Sequence, residues 1–221
     1  MATTAAPKQP EPEGSAEQTH FLAWFVARQK QIGMVLGAVF VVSLVTWYVV
    51  ESGRRKQSQA MEALDQARMS MESGNYPEAS AALQKVTQTY NGTDAAYEAV
   101  LALNQVRLLS GQAQLAVDEL RKFVATNPPG VFGSAAHSHL AIALENTGKV
   151  ADATAEYVKA ADLAPEAFRQ IDALLNAART YRAAGKDKEA AATLEGLIKK
   201  YPKEQAGVAE AQVRLAEITK G

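Results

Sequence analysis

"TGKVADATAEYVKAADLAP", Thr147 to Pro165, has a glycine near its front, a proline at its end, and small or aromatic side chains at helical intervals between them. Aligned on that glycine, three other stretches match it: "SGNYPEASAAL" from Ser73, "SGQAQLAVDEL" from Ser110 and "AGKDKEAAATL" from Ala184. The glycines Gly74, Gly111, Gly148 and Gly185 stand 37 residues apart. Five residues after each comes an alanine (Ala79, Ala116, Ala153, Ala190), and nine after it a large side chain (Leu83, Leu120, Tyr157, Leu194). Seventeen residues after the last three glycines stands a proline: Pro128, Pro165 and Pro202. A constant period with matched residue types at several offsets marks a repeat architecture.

Each unit reads as two helices. Before the glycines, apolar residues recur at helical spacing: Val100, Leu103 and Val106, then Leu140 and Leu144, then Leu174, Ala177, Ala178 and Tyr181. The glycine marks the turn between the helices, where a left-handed backbone is expected. The alanine after it is small because two antiparallel helices approach closely there. The large residue four positions later fills the groove between one pair and the next, and the proline stops the second helix. The first unit departs from the pattern, with Asn91 in the proline position and Gln66 where a large apolar residue is expected. After Pro202, "EQAGVAEAQVRLAEITKG" reads as one further helix covering the last pair. The expected fold is all-α: about four helix pairs and a C-terminal capping helix over residues 56–221, without a sheet.

The upstream part is of another kind. Residues 1–18 are rich in Pro, Glu and Ala with no large apolar residue after Met1, so they bury too little to offset ordering entropy and read as a disordered tail. Residues 19–55 form a juxtamembrane segment and a transmembrane helix. "FLAWFVARQKQ" brings three aromatics and two cations, and "IGMVLGAVFVVSLVTWYVV", Ile32 to Val50, is nineteen residues without a charge. At 1.5 Å rise per residue this run is just long enough for a bilayer core. Trp47 and Tyr48 stand at one end and Trp24 at the other, as headgroup-level side chains do. A cleaved signal peptide fits poorly, because the apolar run is long and is followed by "ESGRRK" rather than a small-x-small site. A buried core helix seldom runs so far without a charge. Within the span, Gly33 and Gly37 share one helix face and permit another helix to approach closely.

Composition narrows the chemistry. With 221 residues and a net charge of −1 there is no basic excess, so no nucleic-acid partner is expected. The absence of cysteine excludes disulfides, thiolate metal sites and a cysteine nucleophile. His137 and His139 are two apart on a predicted helix and diverge, which is wrong for joint metal ligation, and His20 lies far away in sequence. No G-x-S-x-G, H-E-x-x-H or Walker A pattern occurs, and "TGKV" and "AGKD" lack a preceding strand. Asp118 and Glu119 are adjacent and diverge, and "NGT" at Asn91, formally a glycosylation sequon, reads as a loop. No enzyme, catalytic residue, metal or cofactor is expected.

The pattern Gly, then Ala, then a large residue, then Pro resembles the tetratricopeptide repeat. Its usual period is about 34, so each unit here carries about three extra residues, expected in loops such as "NPPGVFGS". The resemblance covers Lys56 to Gly221. It implies that the first helix of each pair lines a groove, which by register includes Arg68, Gln105, Glu145, Asn146, Arg179 and Arg182. Leu101, Leu108 and Ile142 lie between them, a mixture suited to an extended peptide or a partner helix.

The whole layout, together with "HFLAWFVARQKQIGMVLGAVF", resembles the YfgM-like family. That resemblance implies an ancillary subunit of the SecYEG translocon in the bacterial inner membrane, with a periplasmic repeat domain that binds chaperones and membrane-complex subunits. Cation counting points the other way, with Arg28 and Lys30 before the span against Arg54, Arg55 and Lys56 after it. The difference is a single residue, and large domains cross membranes largely regardless of such charges. The alternative function is a structural accessory subunit of a larger membrane complex, such as a respiratory or photosynthetic assembly.

Overall fold

The computed structural model describes residues 14–220, with side chains from Arg28 onward except Gln29 and Ile32. Among the described residues every regular element is an α-helix: α1 (Gly14–Glu72), α2 (Tyr76–Thr89), α3 (Asp94–Leu109), α4 (Ala113–Val124), α5 (Gly130–Asn146), α6 (Val150–Leu163), α7 (Ala167–Ala183), α8 (Asp187–Lys200) and α9 (Gln205–Lys220). The chain divides into two compact units, Met1–Arg54 and Arg55–Gly221.

In the first unit, α1 begins at Gly14, inside the stretch expected as a tail, and residues 1–13 lie outside the described ones. From Gly33 onward α1 is long and apolar enough to cross a membrane, with a mean hydropathy of 2.2 in its most apolar window. None of that window is buried within the chain, which is unlike the core helix of a soluble domain. Trp47 and Tyr48 are both exposed. The Ser43 and Thr46 hydroxyls donate back to the Val39 and Val42 carbonyls, so neither polar side chain needs an outside partner. A Cβ added at Gly33 or Gly37 would meet nothing within 4 Å, so that face is open within this chain. Trp24 lies on α1, but its side chain is outside the described residues.

The second unit is an array of antiparallel pairs. The last part of α1, from Arg55, pairs with α2; α3 pairs with α4, α5 with α6 and α7 with α8; α9 follows alone. Three-residue turns close all four pairs, and the middle residue of each is a period glycine. Gly74, Gly111, Gly148 and Gly185 have φ of +77°, +74°, +75° and +73°. Around each the same two bonds recur. Lys149 N–H donates to the Leu144 carbonyl at 2.9 Å and Gly148 N–H to the Glu145 carbonyl at 2.9 Å, with equivalents at the other three turns. This is the Schellman arrangement, which satisfies helix-end carbonyls and requires a left-handed residue between the helices. The alanines five residues on are fully buried at 0% exposure, and the large residues nine on are buried beside them.

One sequence expectation is corrected here. "NPPGVFGS" is a loop only up to Pro129, because α5 begins at Gly130. The added length of the unit lies in first helices of 16 or 17 residues rather than in that connection.

Register explains the ends of the array. At twelve, eight and five residues before the glycine, units two to four bury Ala99, Leu103 and Val106, then Ala136, Leu140 and Ala143, then Ala173, Ala177 and Thr180. The first unit has Glu62, Gln66 and Met69 at those positions, all exposed because no pair precedes them. At the other end α9 repeats the pattern with Ala211, Leu215 and Ile218, one residue late in the period. Ala211 is fully buried, and Leu215 and Ile218 pack on the cluster of Ile171, Leu175, Leu194 and Leu197. Gly207 lets α9 come in close, since a Cβ there would stand 2.6 Å from Ile171 Cγ2.

Candidate partner-binding face

The first helices of successive pairs carry a recurring two-position contact. The residue three before one glycine meets the residue six before the next. Between units three and four these are Glu145 and Arg179, joined by two parallel bonds of 2.8 Å from Nη1 and Nη2 to the two carboxylate oxygens. The Tyr157 hydroxyl, from α6, donates to the same carboxylate at 2.9 Å. Between unit four and α9 they are Arg182 and Glu217, joined at 2.9 Å with the signs reversed. Between units two and three the same positions hold Leu108 and Ile142, and between units one and two Met71 and Gln105.

The expected groove residues therefore sort by position. Glu145 and Arg179 are bound to each other, and Arg182 to Glu217. Arg68 donates to Glu98 of the next unit. Leu101 and Leu108 are half-buried against the central cluster, while Ile142, Gln105 and Asn146 are exposed. Leu109, beside them and absent from the sequence reading, is 57% exposed. The face is thus apolar and open around Leu108, Leu109 and Ile142, and tied by ion pairs around Arg179 and Arg182. Sequence reasoning had no role for Glu98, Tyr157 or Glu217. The signal was present, because a step of one period less three residues leads from Glu145 to Arg179.

Local electrostatics follow from this geometry. Burial alone pushes the Glu145 carboxyl up, but the bonds from Arg179 and Tyr157 and the guanidinium charge outweigh it, so its pKa falls below the ordinary value. Tyr157 is pushed up, first by burial and then by the Glu145 carboxylate beside it. Arg179 is held charged more firmly by its bond to Glu145. The two adjacent histidines diverge in the structure. His137 Nδ1 lies 2.5 Å from Glu156 Oε2. His139 lines a separate cavity with Ser138, Phe168 and Asp172, where burial lowers its pKa and leaves Nδ1 without a partner among the described residues.

Comparison with known proteins supports the repeat reading. The family model for the tetratricopeptide repeat matches residues 172–204, the unit built from α7 and α8. No curated protein matches the chain. Among solved structures, the nearly identical TPR-like repeats of a Podosopora anserina kinesin light chain protein superpose with a TM-score of 0.60 at 21% identity, covering 74% of this chain and 87% of that one. A tetratricopeptide repeat protein from Parabacteroides merdae gives a TM-score of 0.57 at 13% identity, over 74% of this chain and 61% of that one. YrrB, a TPR protein with an unusual peptide-binding site, gives 0.51 at 19% identity, over 69% and 74%. The helix pairs of the second unit have the tetratricopeptide fold, and one of their units matches the tetratricopeptide repeat model in sequence as well.

Proposed function

We propose that this chain is a membrane-anchored protein-interaction module of a bacterial inner membrane that assists protein export or periplasmic chaperoning. The observation that carries the reading is the combination of one unburied apolar helix with a tetratricopeptide-type array whose first helices leave Leu109 and Ile142 exposed. Polar groups alternating with exposed aliphatics suit an extended segment or a helix of a partner protein, and the structural likeness to a peptide-binding TPR protein supports that use. The repeat domain lies in the periplasm and the N-terminus in the cytoplasm, in keeping with the YfgM-like layout of the sequence.

Binding is bipartite. The span is covalently joined to the repeat domain, so a partner in the same membrane meets both at high effective concentration and weak contacts suffice. The open face at Gly33 and Gly37 admits a partner helix. Purification of the full chain in mild detergent should recover translocon or chaperone subunits. A stoichiometric cofactor-bearing complex in their place would favour an accessory role in an energy-transducing assembly. Gly33→Leu with Gly37→Leu should lower recovery severalfold. If the isolated second unit recovers partners as well as the full chain does, the span is only a tether. An alkaline phosphatase fusion at Gly221 should be active, and a stable but inactive fusion would place the repeats in the cytoplasm.

A further inference from the structure

A cleft of about 230 Å³ opens between α7, α8 and α9. Its floor is apolar, formed by Ala178, Leu194 and Ile218. Its rim carries three cations, Arg179, Arg182 and Arg214, against one carboxylate, Glu217. The volume falls below the roughly 300–1,000 Å³ of small-molecule sites, so the cleft takes one side chain rather than a cofactor.

The rim is not saturated. A guanidinium has five N–H donors. Arg179 commits two to Glu145, Arg182 one to Glu217, and Arg214 one each to the Leu175 carbonyl and Glu210. Arg182 and Glu217 are also shallow, with side chains 47% and 55% exposed. An ion pair that wet holds little net energy, so an incoming carboxylate can replace Glu217 on Arg182 at small cost. Its methylene stem would then cover Ala178 and Ile218, which water now reaches.

Resting on the partner-binding reading above, we infer that the cleft between α7, α8 and α9 receives an acidic side chain from within a partner segment whose neighbours are aliphatic. Two features point to this occupant. The excess of positive charge on the rim selects a carboxylate, and Arg binds carboxylates through paired N–H donors. The exposed aliphatics along the same first-helix face, Ile142 above all, suit the residues that flank it.

The test uses the full chain in detergent micelles and fluorescein-labelled pentapeptides read by polarisation. The probes are Ala-Leu-Glu-Leu-Ala with both ends blocked, its Gln analogue with both ends blocked, and the Gln analogue with a free C-terminal carboxylate. The blocked Glu peptide should bind at least tenfold more tightly than the blocked Gln peptide. Arg182→Gln with Arg214→Gln should abolish that preference. Glu217→Gln, which removes the internal competitor, should tighten the Glu peptide at least threefold; a merely structural Glu217 would give no change or a loss.

Equal binding of the two blocked peptides overturns the inference, as does unchanged or weakened binding in Glu217→Gln. A free-terminus Gln peptide that matches the Glu peptide also overturns it, because the cleft then reads chain ends. Failure here with partners still recovered from the membrane leaves the broader reading standing. Retention of the Glu preference without any partner recovery leaves the cleft standing and removes the broader reading.

Discussion

Gly148 shows how much one residue can carry in this chain. Its φ of +75° is a conformation that side-chain-bearing residues adopt at a cost. A Cβ there would meet nothing within 4 Å, so the cost of Gly148→Ala is conformational and not steric. It should lower stability by about 1–2 kcal/mol, seen as a fall in the urea midpoint of the repeat domain, whereas Gly196→Ala inside α8 should raise stability slightly. These turns were legible in sequence because a left-handed residue leaves glycine almost alone as a choice. Glu145 was legible only as a polar residue on the right face; its bonds to Arg179 and Tyr157 depend on how two units stack. Its folded pKa lies below the unfolded one, so the stability it adds is complete above the unfolded value of about 4.3 and is lost as pH falls through the folded value. Glu145→Gln should therefore cost about 1 kcal/mol near neutral pH, after allowance for the half-exposed arginine. It should also flatten the acid loss of stability measured by urea unfolding. An equal acid slope in the variant and the parent would show that Glu145 does not titrate with folding.

At the scale of the element, the small residue after each glycine sets how closely a pair can close. Ala153 is fully buried where α5 and α6 cross. Ala153→Leu should overpack that crossing and cost about 1–3 kcal/mol, read as a drop in Tm. An unchanged Tm would mean that α6 can rotate to accept the larger side chain. The existence and pairing of these helices were readable from the 37-residue period alone. Their boundaries were less so, and the reason is visible at α5. Pro128, Pro129 and Gly130 look like a loop, yet Pro129 is a natural entry to a helix, and the helix starts directly after it. The last helix was readable as a helix but not as the first half of a fifth unit. Its one-residue shift relative to the period hides the match of Ala211 to Ala99, Ala136 and Ala173.

For the whole molecule, the division after Arg54 separates a part whose apolar surface has no cover within the chain from a part that builds its own core. Circular dichroism of residues 57–221 should show a helical spectrum without β content. The alternating contact between first helices has a further consequence, for the order in which units can follow one another. A chain of equal units can lose one by an in-frame deletion of residues 149–185, which joins Gly148 to Lys186 and breaks no helix register. The shortened chain would then set Glu145 against Glu217, because the pairs on either side of the lost unit carry opposite polarity. Two carboxylates would face each other where each now faces a guanidinium. Glu217→Arg should stabilise the shortened chain by up to about 1 kcal/mol and destabilise the parent by a similar amount. The side chains at this seam thus work as a key against splicing: they admit the units in one sequence and penalise the chain that has skipped a member.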